Sequence, residues 1–397
     1  MDPCLPTQPT TRPVADRPRV AVLTFHFHYN YGGVLQAYGL WQALRHLGYD
    51  AVFPGTIPGF CRGWVHPSVV PSPRRKGIVQ GLRAPFTEFP RRRAFDLFRR
   101  QSFPPAVAGP SWNEAIADPR LVAAIVGSDQ VWNLAWMQAW EPYYFLGSLP
   151  EDSPIRRIAY AACFGTETQR ADYLELARPL LDRFDAIGVR TETTRRIVEM
   201  HSPIRTTPVV DPSLLHDFQE LRGQRPFAGD YILVYGIRPN DFGRAREIAC
   251  ALKRRTGLPI AVLVPESFTL EWRPATDWAD KVCERASPAD WVESIRQCTC
   301  LVTDSFHGVL FATASRRPFL AYPQGTTAER IVDVTRRYGL DERVVSGDAV
   351  ESHASPMFAP IDFDLVHERL RVDREASLRF LREALVGSAN RSMDPEP

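Results

Sequence analysis

Residues 300–308 read Cys300-Leu301-Val302-Thr303-Asp304-Ser305-Phe306-His307-Gly308 and are followed by Val309-Leu310-Phe311-Ala312-Thr313-Ala314. Residues 300–302 are typical of a buried strand, and residues 309–314 are typical of the start of a helix. Polar residues therefore fall where a strand gives way to a helix, which is where open α/β sheets bind ligands. The N–H groups of such a turn and the helix N-terminus favour an anion. His307 would lie beside that anion with a side chain that can move a proton near neutral pH, so it is the first candidate for catalysis.

The composition is that of an ordinary globular protein. A length of 397 residues exceeds a comfortable single core, so we expect two domains. The formal net charge is only +2, which gives no indication of nucleic-acid binding. No apolar stretch approaches the roughly 20 residues of a transmembrane helix, and residues 1–18 contain no apolar core of a signal peptide.

The cysteines indicate neither a metal site nor a disulfide framework. They are odd in number and dispersed along the chain: Cys4, Cys61, Cys163, Cys250, Cys283, Cys298 and Cys300. This usage favours a reducing compartment, so we expect a cytoplasmic protein without a structural metal.

Strands and helices alternate along both halves of the chain. In the first half, apolar runs and helical spacing predict strands at 19–24, 121–126, 157–162, 186–189 and 208–210, and helices at 34–47 and 193–200. In the second half they predict strands at 231–235, 260–264, 300–302 and 318–322, and helices at 243–255, 328–338 and 376–385. A further helix is expected to begin at Ser287-Pro288-Ala289-Asp290, which offers a capping serine, a proline and a first-turn carboxylate. The alternation predicts an α/β protein with two Rossmann-like domains that face a cleft, and the cleft is the expected ligand site.

The predicted organisation has five parts. They are a disordered tail at 1–18, an N-terminal Rossmann-like domain at 19–215, a linker at 216–230, a C-terminal Rossmann-like domain at 231–345 and a C-terminal helical extension at 346–397. Within the first domain, residues 54–110 are rich in Pro and Arg, and residues 91–100 are the one clear helix candidate there. We expect its arginines to form a solvated face, and a basic patch for an anionic glycan or lipid head group is the lesser alternative.

Three further groups of residues are candidates for ligand binding. Asn30, Gly32 and Gly33 lie in the predicted loop between the first strand and the first helix, where glycine would let the backbone approach a ligand. Ser128 and Asp129 follow the strand at 121–126. Arg190 ends the strand at 186–189 and could present its guanidinium to a carboxylate or phosphate, although an ion pair with Glu192 or a capping contact is an equal alternative.

Five motifs in one order resemble the polysaccharide pyruvyl transferase family. They are Asn30-Tyr31-Gly32-Gly33-Val34-Leu35-Gln36-Ala37-Tyr38, Gly127-Ser128-Asp129-Gln130-Val131-Trp132-Asn133, Arg157-Ile158-Ala159-Tyr160-Ala161-Ala162-Cys163-Phe164-Gly165, Val189-Arg190-Thr191-Glu192 and Thr303-Asp304-Ser305-Phe306-His307-Gly308. The resemblance extends from about Arg19 to about Leu340. It implies a fold similar to the GT-B glycosyltransferases and transfer of the pyruvyl group of phosphoenolpyruvate to a sugar, usually as a cyclic ketal across two hydroxyls.

The resemblance also implies roles for residues. The motif histidine of the family corresponds to His307 and its donor-binding arginine to Arg190, and we expect Ser305, Phe306 and Gly308 to contact the substrate as well. The implied partners are phosphoenolpyruvate and a sugar or lipid-linked glycan acceptor of exopolysaccharide type, the latter with peripheral membrane contact; no other cofactor and no nucleic acid is implied. Two positions depart from the family, since many members have Arg-Leu-His where this chain has Ser305-Phe306-His307, and serine is frequent where it has Cys163.

Two other functions remain open from the sequence. One is a GT-B glycosyltransferase that uses a nucleotide-sugar donor in the same cleft. The other is a glycan-binding relative without catalytic activity, which the departure at Ser305 would allow and which His307 and Arg190 oppose.

Overall fold

The computed structural model describes residues 13–61, 78–237, 242–265, 276–325, 328–345 and 359–387. Two parallel β-sheets form the framework. The first contains β1 (Arg19–Leu23), β2 (Asp50–Val52), β3 (Leu121–Val126), β4 (Arg156–Ala162), β5 (Ala186–Val189) and β6 (Thr206–Pro208) in the order β2-β1-β3-β4-β5-β6. The second contains β7 (Ile232–Tyr235), β8 (Ile260–Leu263), β9 (Lys281–Cys283), β10 (Cys300–Thr303) and β11 (Phe319–Ala321) in the order β11-β10-β7-β8-β9.

Helices connect the strands of both sheets. In the described part of the chain they are α1 (Tyr31–His46), α2 (Ile78–Ser102), α3 (Trp112–Ile116), α4 (Ala171–Leu181), α5 (Glu192–His201), α6 (Phe242–Thr256), α7 (Pro288–Gln297), α8 (Phe306–Ala314), α9 (Ala328–Tyr338) and α10 (Phe363–Val386). The strand pairs of both sheets are parallel, so their crossovers need long connections, most often helices. Within the described ranges, no helix combines the length and the apolarity that crossing a bilayer requires.

The predicted α/β fold with two Rossmann-like domains is confirmed, and most predicted elements agree with the structure to within two residues. The start of α7 is an example, since Ser287 and Asp290 form a reciprocal capping box and Pro288 is the first helical residue. The strands β2 and β9 were not predicted, because three residues are too short to show a period of two. The last strand of the first sheet lies at 206–208 rather than 208–210.

Two local predictions in the first domain are wrong. Gly32 and Gly33 lie in the first turn of α1 and not in a loop, because Asn30 caps this helix by accepting a hydrogen bond from the Gly33 N–H at 2.9 Å. The arginines of α2 do not all face solvent. Arg91 and Arg99 are only 2% and 5% exposed, and their guanidiniums donate to backbone carbonyls, those of Pro265 for Arg91 and of His26 and His28 for Arg99.

The two domains share one continuous apolar core. Helix α1 of the first domain lies against α7 of the second, where the ring of Tyr31 stacks on Trp291 with centroids 5.7 Å apart. The hydroxyl of Tyr31 donates to the Ala286 carbonyl at 3.0 Å. This packing fixes the distance between the strand ends of the two sheets, which is the distance across the cleft.

The chain returns to the first domain at its C-terminal end. Helix α10 packs on β4, and Phe380 lies against Tyr160, with ring centroids 6.2 Å apart, and against Gly188 of β5. Arg156 Nε donates to the Ala384 carbonyl at 2.6 Å. Helix α10, which belongs to the predicted C-terminal helical extension, therefore covers part of the first sheet.

Helix α1 packs closely against the segment that follows β6. We therefore expect one methyl group added to α1 at this contact to lower the stability of the protein. A Cβ on Gly39 would lie 2.4 Å from the Pro212 carbonyl oxygen, so alanine there must push α1 away from the 212–214 turn. We expect Gly39→Ala to lower the free energy of unfolding by about 1–3 kcal/mol, as overpacked cores do. Urea denaturation measures the change.

The matched control is Gly243→Ala in helix α6, where an added Cβ meets no atom of the described residues within 4 Å. This variant should be neutral or gain up to about 1 kcal/mol from helix propensity. Equal stability of Gly39→Ala and the unchanged protein would contradict the packing described for α1.

Candidate active site

The carboxyl ends of strands from both sheets meet at the cleft, and polar residues follow several of them. Ser128 and Asp129 come after β3, Arg190 after β5 and Asp211 after β6, all in the first domain. His307 comes after β10 in the second domain. Parallel strands place their carboxyl ends along one edge, which explains why residues distant in sequence lie together here.

His307 is the second residue of α8, and the turn before it is held by short-range hydrogen bonds. Ser305 is the N-cap of this helix, and its hydroxyl accepts a hydrogen bond from the Gly308 N–H at 3.2 Å. Thr303 Oγ1 donates to the Tyr235 carbonyl at 2.6 Å and accepts from the Ser305 N–H at 3.0 Å. The turn therefore holds the backbone of His307 in one place.

The imidazole of His307 lies directly against the first turn of α1. A Cβ on Gly32 would lie 2.1 Å from His307 Nδ1 and 2.3 Å from its Cγ, which no side chain allows. The same test on Gly33 gives ordinary contacts of 3.7 Å or more. The absence of a side chain at Gly32 therefore allows a histidine from the other domain to approach α1 closely. Gly33 has no such role.

Arg190 forms the centre of a buried charged cluster. Its side chain is 1% exposed and pairs with the carboxylates of Asp211 and Asp129, at 3.2 Å for Asp129. The Arg190 Nη1 also donates to Ser128 Oγ at 2.9 Å, and Ser128 Oγ in turn donates to Asp211 Oδ2 at 3.1 Å. The alternative in which Arg190 pairs with Glu192 is not found, since Glu192 pairs with Arg195 and Arg190 pairs with Asp129 and Asp211.

The charges of this cluster stabilise one another. Burial lowers the pKa of Arg190, but Asp211 and Asp129 raise it above that of an ordinary guanidinium. Burial likewise raises the pKa of Asp211 and of Asp129, yet Arg190 lowers each below the usual range of a carboxyl. Arg190 is therefore a cation between two carboxylates at neutral pH.

His307 faces this cluster without being bonded to it. Its Nε2 lies 3.9 Å from Asp211 Oδ2, which is too long for a hydrogen bond, and has no hydrogen-bond partner among the residues that the structure describes. Burial lowers the pKa of His307 below 6.5, although Asp211 and Asp129 act in the opposite direction. This shift favours the neutral imidazole near pH 7, and a proton that it accepts would lie beside carboxylates.

Asp211 and Arg330 belong to this site and were not predicted. Asp211 follows the short strand β6, so the rule that singled out Ser128 and Arg190 would have found it as well. Arg330 lies inside α9, is 6% exposed and has its Cζ 5.3 Å from the ring centroid of Phe306. A position inside a helix with apolar neighbours gives no signal of such a role.

Phe306 joins Arg330 to Arg190, whose Cζ lies 5.0 Å from the same ring centroid. Both distances are within the range of cation–π contacts. Burial lowers the pKa of Arg330, and the nearby charge of Arg190 lowers it further. Two guanidiniums thus share one aromatic ring at the boundary of the domains.

A cavity of about 300 Å³ opens beside these residues between the two domains. Arg190, Asp211 and Phe306 form its wall next to His307, and Arg330 lies on the wall from α9. Most of the remaining lining is apolar. The charged residues of the lining are Arg190, Arg195, Arg330, Arg336 and Arg337 together with Glu192, Asp211 and Asp333, so the cavity has a net charge of +2.

Several other predicted site residues cap helices or allow close packing near the site. Asn30 and Ser305 use their side chains to cap α1 and α8. Gly308 allows close packing, since a Cβ there would lie 2.6 Å from Thr303 Oγ1. The thiol of Cys163, where serine was expected to be frequent, is buried and accepts a hydrogen bond from the Gly165 N–H at 3.2 Å.

The geometry supplies three elements of a transfer site for an anionic substrate. A neutral imidazole can accept a proton, carboxylates beside it can stabilise the resulting imidazolium, and a cavity with excess positive charge can hold an anion. All three come from loops at the carboxyl ends of parallel strands or from the helices that follow them.

Solved structures share this architecture at low sequence identity. UGT89C1 of Arabidopsis thaliana complexed with UDP-L-rhamnose is 13% identical, with a TM-score of 0.52 over 93% of this chain and 99% of that one. A putative UDP-N-acetylglucosamine 2-epimerase from Listeria monocytogenes is 12% identical, with a TM-score of 0.50 over 92% of this chain and 95% of that one. The fold is the two-domain α/β arrangement of GT-B glycosyltransferases.

Sequence comparison gives a more specific result. No significant match was found among curated protein sequences. The family model described as polysaccharide pyruvyl transferase matches residues 30–324, which include α1 with Gly32, the Arg190 cluster and the turn at His307. The chain therefore belongs to the polysaccharide pyruvyl transferase family.

Proposed function

We propose that this protein transfers the pyruvyl group of phosphoenolpyruvate to a sugar of a polysaccharide or glycan precursor and leaves a pyruvate ketal. The observation that carries the proposal is the buried imidazole of His307, whose Nε2 faces Asp211 beside a cavity with a net charge of +2. Family membership supports the same reaction.

The charge of the cavity suits the donor. Phosphoenolpyruvate has a carboxylate and a phosphate on a three-carbon skeleton, so its site needs cationic groups close to apolar walls. The cavity offers both, with Arg190 and Arg330 next to Phe306, Val209 and Leu310. No further cofactor is needed for the reaction proposed here.

The reaction balances without an oxidant or reductant. The methylene carbon C3 of the donor gains a proton, which leaves an oxocarbenium-like centre at C2. One sugar hydroxyl attacks C2 and loses its proton, phosphate departs with the bridging oxygen, and a second hydroxyl of the sugar closes the ketal at C2. Of the two hydroxyl protons, one corresponds to the new methyl hydrogen and the other leaves on hydrogen phosphate.

We assign to His307 the role of a base toward the attacking hydroxyl. A neutral imidazole cannot protonate C3, but it can accept the hydroxyl proton at Nε2. The imidazolium that forms would be stabilised by Asp211, whose Oδ2 lies 3.9 Å from Nε2, and by Asp129. It could then return the proton to the departing phosphate.

Location and acceptor are part of the proposal. The dispersed free cysteines of the described residues fit the cytoplasm, where phosphoenolpyruvate is available as a donor. A lipid-linked glycan as the acceptor would bring the protein to the membrane surface as a peripheral enzyme.

A nucleotide-sugar donor is the second candidate. The observation that favours it is the fold shared with UGT89C1, which was solved with UDP-L-rhamnose, but an identity of 13% extends to the fold alone. The pyruvyl transferase would consume phosphoenolpyruvate, and the glycosyltransferase would consume a nucleotide sugar. A glycan-binding relative without activity would consume neither donor.

Acceptor-dependent release of phosphate from phosphoenolpyruvate tests the proposal. With a panel of hexoses and lipid-linked glycans, we expect release together with a sugar whose mass includes the pyruvate ketal. His307→Asn should lower the rate by about two to four orders of magnitude, because it removes the general base. Phosphate release and mass spectrometry are the measurements.

The same acceptors are then offered with UDP-sugars. Turnover of a UDP-sugar without turnover of phosphoenolpyruvate would replace the proposal by the glycosyltransferase alternative. Glycan binding without turnover of either donor would favour the relative without catalytic activity.

The position of His307, and not only its presence, should be required for transfer. We expect Gly32→Ala to lower the rate about a hundredfold, since its Cβ displaces the imidazole and misplacement by about 1 Å has effects of this size. Gly33→Ala in the same helical turn is the control and should retain near-normal activity, because its contacts are ordinary. Similar rates for the two variants, with both folded by circular dichroism, would argue against a catalytic role that depends on the contact between α1 and His307.

A further inference from the structure

The place of the Asp211 carboxylate depends on the backbone on either side of it. Asp211 Oδ2 accepts hydrogen bonds from Ser128 and Arg190 and lies 3.9 Å from His307 Nε2. An aspartate side chain has only two rotatable bonds, so its carboxylate moves whenever its backbone moves. The contacts that hold this segment therefore bear on the charge beside the proposed base.

Both polar backbone groups of Val210, the residue before Asp211, are bonded to side chains of other elements. The N–H donates to Ser377 Oγ at 2.9 Å, and the carbonyl accepts from the Tyr160 hydroxyl at 3.0 Å. Ser377 and Tyr160 are both 0% exposed. A buried N–H that loses its partner is costly, so the backbone here is held by these two hydroxyls.

Ser377 is itself held in place by helix α10. Its hydroxyl donates to the Asp373 carbonyl one turn earlier, at 2.7 Å, which orients the oxygen to accept a bond from the first domain. On the same helix, Arg374 Nε donates to the Leu214 carbonyl at 2.7 Å. Helix α10 thus holds the chain both before and after Asp211.

Helix α10 also contacts the second domain. His367 Nε2 donates to the Thr313 carbonyl of α8 at 3.0 Å, and Asp373 pairs with Arg337 of α9 at 2.6 Å. The helix lies outside residues 30–324, over which the family model matches, yet it contacts elements on both sides of the cleft. It is therefore placed to fix the first-domain carboxylate relative to the helix of the candidate base.

We infer that Ser377 is a positioning residue for the proposed reaction, and that it fixes the Asp211 carboxylate beside His307 through the Val210 N–H. The inference rests on the proposed function, in which Asp211 stabilises the imidazolium. Among the described residues, those that line the cavity do not include Ser377. Ser377 therefore acts through Asp211 and not on the substrate.

An NMR titration of His307 in Ser377→Ala tests the inference directly. The charged groups that face the imidazole are Asp211, Asp129, Arg190 and Arg330. Of these, only Asp211 adjoins the bond that the variant removes. We expect the midpoint to move toward that of Asp211→Asn, because the released carboxylate stays bonded to Ser128 and Arg190 and is not bonded to His307.

The rate of transfer from phosphoenolpyruvate is the second readout. We expect Ser377→Ala to lower it about tenfold, since misplacement by about 1 Å lowers rates about a hundredfold and the displacement here is smaller. Tyr160→Phe releases the carbonyl of Val210 and should change the midpoint and the rate in the same directions. Two variants from different elements thus test the position of one residue.

Ser294→Ala in helix α7 is the control. Ser294 is 1% exposed, and its hydroxyl donates to the Asp290 carbonyl one turn earlier at 2.6 Å, as that of Ser377 does to Asp373. In the described part of the chain, its oxygen accepts no hydrogen bond from another segment. This variant should leave the His307 midpoint and the rate unchanged.

The outcomes separate positioning from stability. A lower free energy of unfolding in Ser377→Ala, with the His307 midpoint and the rate unchanged, would assign the residue to stability alone and overturn the inference. Absence of transfer by the unchanged protein would instead count against the proposed function. The midpoints would still test the position of Asp211 in that case, because they need no substrate.

Discussion

The burial of one charged side chain organises the site. Arg190 lies at the end of β5 with 1% of its side chain exposed, and a buried cation of this kind is tolerated only when carboxylates pair with it. Asp129 from the loop after β3 and Asp211 from the segment after β6 meet this need. Three separate strand ends of the first domain are thereby held together before any substrate binds.

The second domain completes the site through close contacts of small residues. The imidazole of His307 occupies the space that a side chain at Gly32 would fill, and the Pro212 carbonyl occupies the space that one at Gly39 would fill. Helix α1 therefore contacts both the catalytic candidate and the segment that includes Asp211. The stacking of Tyr31 on Trp291 holds the same helix against the second domain.

The electrostatic consequence appears at His307. The carboxylates of Asp211 and Asp129 are already paired with Arg190, so they oppose the effect of burial on the pKa of the imidazole without overcoming it. A histidine that is neutral at rest and lies beside carboxylates can take up a proton during reaction and lose it again. This is the property that a base toward a sugar hydroxyl requires.

Much of the fold and part of the site could be predicted from the sequence. Apolar runs followed by polar residues identified most strands and, with them, His307, Ser128, Asp129 and Arg190, because ligand sites of parallel sheets follow strand ends. The family resemblance, which rests on motifs rather than on periodicity, is confirmed by the match over residues 30–324. The roles assigned to the individual site residues stay predictions.

The remainder depends on contacts between distant segments. Arg330 lies inside a helix, and only the packing of α9 against Phe306 brings it to the cavity. Arg99 belongs to an arginine-rich helix that a charge pattern presents as solvated, yet it donates to the His26 carbonyl at 3.1 Å. The charge pattern and periodicity of one segment give no information on the carbonyl groups or aromatic rings that a distant segment brings into contact with it.

The protonation state of His307 is the most direct test of this account, and an NMR titration of the imidazole Cε1–H measures it, with His307→Asn to assign the resonance. We expect a midpoint below 6.5, so that the side chain is mostly neutral at pH 7 and becomes protonated as the pH falls. Asp211→Asn should move the midpoint lower still, because it removes a carboxylate that raises the pKa of His307. A midpoint of 7 or above would mean that His307 is largely protonated at rest, which would contradict the proposed role of His307 as the base.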